Sequence, residues 1–277
     1  MAKRVESPSS INTFKQCPRK YFYQYIAKLP TSPSIHTVRG NIAHSTLEHI
    51  YDIDQTQLTE ENFSLKIKEA AQRLLINFWK EYKPKLDQLK LNPDQERFYF
   101  EETMMMILNW SNHFIKDLTS EMQNRKCSIQ EAYTLLTPIR EQEFKSEKLS
   151  VRGFVDAIHK HDNEIMILDY KTNANSDIKE SIMLQLGIYC VLYQELYNVI
   201  PQKVGIFFLR DKAKIMNVDP ELLVMAKKEI DFVHSQTSVG EDIILYNRKI
   251  TPLCKWSSGQ CDFYGTCKPH DKIYQPN

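Results

Sequence analysis

The sequence predicts an α/β fold that carries a helical insertion and ends in a cysteine-bearing loop. Three observations lead to that expectation. Residues 58–137 are charged, poor in glycine and apolar at helical spacing. After Pro138 the period shortens to strand-like alternation, in IREQEFKSEKLSVRGFVDAIHK and again in EIMILDYKT. Helix-like and strand-like segments then alternate as far as residue 234, the pattern of helices covering a sheet.

Taken in order, Ser9 or Ser10 can cap a first short helix, INTFKQ. Cys17-Pro18 interrupts it before an aromatic-rich helix, RKYFYQYIAKL, which ends near Pro30. TSPSIHT reads as a loop. From Val38, RGNIAHSTLEHIYDI has helical spacing, with Ile42, Leu47 and Ile50 on one side and His44 one turn from Glu48. Pro84 and Pro93 divide the 58–137 insertion into three helices, one of them FYFEETMMMILNWSNHFIKDL. Lys148 lies near the turn between the first two strands of a β-core, with its flanking helix, expected over 138–215. Asp162-Asn163, a polar pair that tolerates positive φ, is the turn of the next hairpin. A helix capped by Ser176 is expected over 175–199, then the strand KVGIFFLR and a helix over 220–234. TPLCKWSSGQCDFYGTCKPH, within a cysteine region over 250–270, is loop. No internal repeat is present, so residues 1–277 are read as one unit.

The composition, 42% hydrophobic and 26% charged, is that of an ordinary globular chain. The opening MAKRVESPSS lacks the apolar core of a signal peptide, and no apolar run is long enough to span a membrane. A soluble cytoplasmic protein is expected. The net charge is only +1, yet the first 40 residues set Lys3, Arg4, Lys15, Arg19, Lys20, Lys28 and Arg39 against Glu6 alone. Such an end either faces a polyanion or is a solvated terminus. In a cytoplasmic chain the six cysteines point to thiolate ligands before disulfides. No G-x-x-x-x-G-K-S/T phosphate loop occurs, so a P-loop nucleotide-driven motor is not expected in this sequence.

The hairpin GFVDAIHKHDNEIMILDYKT sets Asp156 directly opposite Asp169 if Asp162-Asn163 is its turn. Like charges across a ladder repel. Strand alternation puts Lys171 on the same face as Asp169. Two carboxylates at that separation can hold Mg2+ or Mn2+, which removes the repulsion and suits phosphate-ester hydrolysis. Lys171 can orient water or stabilise developing charge. An ion pair of Lys171 with either aspartate is the ordinary alternative, but acids following apolar runs are costly without a partner. Gln185 and Tyr189 lie one turn apart on the following helix, where a buried glutamine satisfied by the backbone and a core tyrosine would also fit.

SPSSINTFKQCPRKYFYQY, GNIAHSTLEHIYD, RGFVDAI, ILDYKT and QLGIY, in that order, resemble the successive motifs of the PD-(D/E)XK nucleases of the RecB-like branch. That branch includes CRISPR-associated adaptation exonucleases and the nuclease domains of recombination helicases. The resemblance spans Ser7 to Cys267, with no motif in 58–137. It implies a restriction-endonuclease-like core: a mixed central sheet flanked by helices. It also implies a metal site of His44, Asp156, Asp169 and the Tyr170 carbonyl, with Lys171 catalytic and Gln185 and Tyr189 supporting the site and the DNA strand. Glu141 or Glu143, in REQEF, would correspond to an additional acid of some members. Arg19, Lys20 and Tyr21 are candidate DNA contacts. The implied activity is a metal-dependent deoxyribonuclease, an exonuclease on single-stranded ends, in repair, recombination or CRISPR adaptation, working with a separate helicase or adaptation proteins. A chain end threaded among the 58–137 helices would explain a preference for ends. The competing functions are an endonuclease and a non-catalytic DNA-binding subunit. Cys17, Cys254, Cys261 and Cys267 match the positions at which some members hold a 4Fe–4S cluster, and zinc is the alternative metal. SSGQ looks like an insertion that widens the Cys254–Cys261 spacing. Cys127 and Cys190 read as small core thiols.

Overall fold

The computed structural model describes residues 4–257 and 259–269; Ser258 and residue 270, within the expected 250–270 cysteine region, lie outside the described residues. A short helix α1 (Pro8–Gln16) opens the fold. Its cap is Ser7 rather than Ser9 or Ser10, because Ser7 and Ser10 exchange side-chain and backbone hydrogen bonds in a capping box. α2 (Pro18–Tyr21) then runs into one π-turn over Phe22–Ile26. α3 (Ile35–His49) starts earlier than the sequence suggests, since Ser34 accepts the amide of His36 and caps it. The insertion contains four helices instead of three: α4 (Phe63–Glu81), the short α5 (Lys83–Asp87), the long α6 (Pro93–Arg125) and α7 (Ile129–Leu136). Pro84 and Pro93 sit in the first turns of α5 and α6, where a missing amide costs nothing.

The sheet follows in the order β1 (Ile139–Ser146), β2 (Val151–His161), β3 (Glu164–Lys171), β4 (Lys203–Phe208) and β5 (Ala213–Asn217). Only β3 and β4 pair parallel, joined by the crossover helix α8 (Glu180–Tyr197); the other neighbours are antiparallel. α8 begins at Glu180, not residue 175, and Ser176 does not cap it. β5, absent from the sequence reading, forms the edge, and α9 (Pro220–Thr237) completes the layer beside α8. A two-residue hairpin of β6 (Lys255–Trp256) and β7 (Gly259–Gln260) and the turn α10 (Tyr264–Cys267) end the described chain.

Two apolar cores lie on opposite faces of the sheet. On one, Ala157, Leu168, Tyr170 and Phe207 pack against α3, α4, α6 and α7. On the other, Val155, Ile158, Ile167 and Val204 pack against α1, α8 and α9. The result is a three-layer α/β/α arrangement with the helical insertion forming one outer layer. No helix among the described residues is long and apolar enough to cross a membrane.

Candidate active site

The β2–β3 hairpin has the expected register. Asp162 and Asn163 both take positive φ, at 49° and 62°, and His161 pairs with Glu164 through to Ala157 with Leu168. One step further, where Asp156 and Asp169 would face each other, the ladder stops. Asp156 instead accepts the Tyr170 amide on Oδ2 at 2.7 Å. The same disturbance appears on β1. Its pairing with β2 keeps one register from Ile139–Ile158 to Ser146–Val151, but the rung between Glu141 and Asp156 is missing. Glu141 has φ 44°, a left-handed conformation that is uncommon for a glutamate. The faces of β2 change there too: Val151 and Val155 belong to the α8 side, Ala157 to the insertion side and Ile158 to the α8 side again. This local distortion re-aims Asp156.

α3 supplies the next group. His44 Nδ1 lies 3.2 Å from Asp156 Oδ1, and ligand atoms of His44, Glu141 and Asp156 all come within 4.8 Å of one another. Glu141, not Glu143, is therefore the acid that joins the cluster; Glu143 is exposed and pairs across the ladder with Phe154. Burial alone would push the His44 imidazole down, but Asp156, with Asp169 and Glu141 behind it, raises it to about 9. Burial and the Asp156 charge push Glu141 up to about 7. A proton on His44 and a divalent cation would compete for the same carboxylates.

Asp169 lies beside this cluster, at the end of β3. Its Oδ1 accepts from Gln185 Nε2 at 3.0 Å. Its Oδ2 is buried and sits 2.7 Å from Lys171 Nζ as an ion pair, with no aligned hydrogen bond. Burial, only partly opposed by Lys171, raises this carboxyl above its usual range, and the Asp156 charge adds to the rise. Lys171 Nζ also donates to Gln185 Oε1 at 2.9 Å, while Gln185 Nε2 donates to the Tyr189 hydroxyl at 2.9 Å. The glutamine's carbonyl and both its N–H bonds are thus committed, which fixes its orientation. Tyr189 reaches this position because Gly153 leaves room: a Cβ there would stand 3.0 Å from the tyrosine ring. Tyr170 buries its own ring among the insertion-side apolar residues.

The donor set fits a hard divalent ion. Three groups lie together, the His44 imidazole and the Glu141 and Asp156 carboxylates, while Asp169, expected among the ligands, is outside that group of three, its buried Oδ2 ion-paired to Lys171. Among these residues, softer thiolate donors are absent. A second group had no signal in the sequence. Glu102 of α6 holds Arg39 of α3 and Arg210 of the β4–β5 turn together, and Arg210 Nε donates to the Thr172 carbonyl next to Lys171. Arg39 is buried, so it does not belong to the polyanion-facing basic end that its position in the sequence suggested.

Away from these carboxylates in the sequence, Cys17, Cys254, Cys261 and Cys267 line one pocket, open to solvent, together with Lys20 and Tyr23. The wide Cys254–Cys261 spacing does not separate them. The β6–β7 hairpin takes up the extra residues and returns the chain, so that the Cys261 amide donates to the Cys254 carbonyl at 3.0 Å. Among the described residues no three of these sulfurs approach within 4.8 Å of one another. Tyr21 is not available to nucleic acid: it is fully buried, donates to Glu6 and stacks on Tyr246. Arg19 is held by the Tyr246 carbonyl and Lys20 by Gln16. Cys190 is buried, its thiol pushed up to about 12 by burial, and Cys127 is half-buried against the insertion core.

Fold and site together define a nuclease of the restriction-endonuclease-like class. Residues 6–268 match the model of the PD-(D/E)XK nuclease superfamily, and the chain belongs to that family. Among curated relatives, it is 23% identical over 154 residues to a subunit of an ATP-dependent helicase/nuclease of Clostridium kluyveri, covering 54% of this chain and 11% of the relative. It is 27% identical over 123 residues to the CRISPR-associated exonuclease Cas4 of Francisella tularensis subsp. novicida, covering 44% of this chain and 59% of that protein. A crystal structure of a "putative exonuclease" from Eubacterium rectale superposes with a TM-score of 0.52 at 12% identity, covering 100% of this chain and 91% of the other.

Proposed function

We propose that the protein is a divalent-metal-dependent deoxyribonuclease that degrades single-stranded DNA from its ends. The observation that carries the reading is the position of Lys171, paired with Asp169 and bonded to Gln185 beside the His44–Glu141–Asp156 cluster. In this reading His44, Asp156, Asp169 and the Tyr170 carbonyl hold Mg2+ or Mn2+, with Glu141 as an additional acid. The bound cation supplies charge neutralisation and water activation. Lys171 donates to Gln185 and is held against Asp169 as an ion pair, which leaves N–H capacity for the attacking water or for the phosphate oxygen that gains charge. Gln185 and Tyr189 keep that ammonium and the Asp169 carboxylate in place.

The preference for ends, and a role in repair, recombination or CRISPR adaptation with a separate helicase or adaptation protein, draw support from the names of the relatives. Linear and circular single-stranded DNA of one sequence, incubated with Mg2+ and purified protein, separate the alternatives. Loss of the linear form alone supports the exonuclease. Equal loss of both makes the protein an endonuclease, and loss of neither makes it a non-catalytic subunit.

For the cysteine pocket we propose a 4Fe–4S cluster. Four thiolates lining one pocket can ligate such a centre, and the support is that Cys17, from before the sheet, meets the three cysteines that follow it; zinc is the alternative metal. Such a centre would tie α2 to the C-terminal turn, where Tyr23 already packs on Phe263.

A further inference from the structure

Phe154 is half exposed, at 52%, between the buried Gly153 and Val155 of β2. Its position in the fold is specific. Val151 and Val155 face α8, and a Cβ on Gly153 would meet the Tyr189 ring, so the intervening Arg152 and Phe154 point to the opposite face. That is the face α3 covers further along, where His44 meets Asp156 and the Tyr170 ring. Phe154 therefore stands two residues before Asp156 on β2, on the face that α3 covers further along.

The neighbouring rungs continue the pattern. Phe154 pairs with Glu143, and the next pair on this face is Arg152 with Lys145, two like charges directly opposed. Lys145 has Glu147 as a partner at 2.5 Å. Both members of the pair are exposed. The exposed Glu143 carboxylate disfavours a phosphate over Phe154, which leaves that step to a base and the Arg152–Lys145 step to a phosphate.

We propose that this strip is a substrate platform: single-stranded DNA lies along it, a base stacked on Phe154 and a phosphate on Arg152 and Lys145, before it reaches the metal cluster. The inference rests on the nuclease reading above. A flat exposed ring accepts any base, so the platform favours unpaired strands without regard to sequence.

The test measures binding of fluorescent oligo(dT) in EDTA, where no cleavage occurs, to wild type, Phe154→Ala, Phe154→Trp and Arg152→Ala. Thermal melting checks that each variant is folded. Phe154→Ala is expected to weaken binding about tenfold and Phe154→Trp to retain it. Arg152→Ala is expected to reduce the slope of log affinity against log salt by about 0.7. With Mg2+, Phe154→Ala is expected to raise KM and leave kcat near wild type. If Phe154→Ala binds as wild type does, or if Phe154→Trp weakens binding as much as alanine, the platform is wrong while wild-type cleavage still upholds the nuclease. A wild-type protein that neither binds nor cuts the oligonucleotide overturns both.

Discussion

The backbone amide of Tyr170 donates to the side chain of Asp156 at 2.7 Å, one step past the last rung between β2 and β3. This bond fixes one carboxylate oxygen and leaves the other beside His44 and Glu141. Asp156 therefore has two separable functions, one for the sheet and one for a cation. Asp156→Asn keeps an acceptor for Tyr170 and loses the charge. The expected result is an unchanged circular dichroism spectrum with cleavage reduced at least a hundredfold, a loss of the size seen when charge stabilisation of a transition state is removed. A variant that unfolds, or one that cuts normally, would contradict that division.

His44→Ala is expected to leave the fold intact, because the ring's hydrogen-bond partner, Asp156, belongs to the polar cluster and not to a core. Activity should fall, and the Mg2+ and Mn2+ concentrations for half-maximal rate should rise about tenfold, with the ratio between the metals altered. Metal titrations of initial rate decide it, and unchanged titration curves return His44 to a purely structural place on α3.

His159 offers a test of the core that is independent of the metal. Burial, with His161 nearby, pushes its imidazole down to about 4. The unfolded chain then binds a proton near pH 6.5 that the folded chain refuses until about pH 4. Its contribution to stability is present above pH 6.5 and is lost as the pH falls from there to about 4. Denaturant melts of wild type and His159→Gln across that range should diverge, with the variant showing the flatter profile. Parallel profiles would show that His159 is solvated.

Anaerobically purified protein is expected to be brown, with iron and acid-labile sulfide in equal amounts. Cys254→Ser should lose colour and stability as completely as Cys17→Ser, because the β6–β7 hairpin brings Cys254 back to the others. A colourless protein with one zinc per chain would replace the cluster with a zinc site.

What the sequence made legible follows from which interactions are local. The β2–β3 register could be read because alternation on both sides of Asp162-Asn163 admits one pairing, and a slip of one residue would expose Ile158 and Ile167. The choice between Glu141 and Glu143 could not, since a period of two places both on one face. The distortion that separates them has no glycine or proline to mark it, only a positive φ at Glu141. The Arg39–Glu102–Arg210 group was invisible for another reason: its members come from three elements far apart in the chain. The burial of Tyr21 is not legible in the sequence, because an aromatic run near basic residues looks the same whether its rings face solvent or, as here, a buried Glu6. Ser34 gives no cap signal in the sequence because the apolar spacing of α3 becomes regular only after Val38.

The central claim is that Lys171, beside the carboxylates, makes this site a DNA-cleaving one. The most direct measurement is cleavage of end-labelled linear single-stranded DNA by wild type and Lys171→Ala, purified identically, with Mg2+, Mn2+ or EDTA. The account predicts cleavage by wild type with either metal, none in EDTA, and at least a hundredfold less by folded Lys171→Ala. Full activity in Lys171→Ala, or cleavage that persists in EDTA, would contradict it.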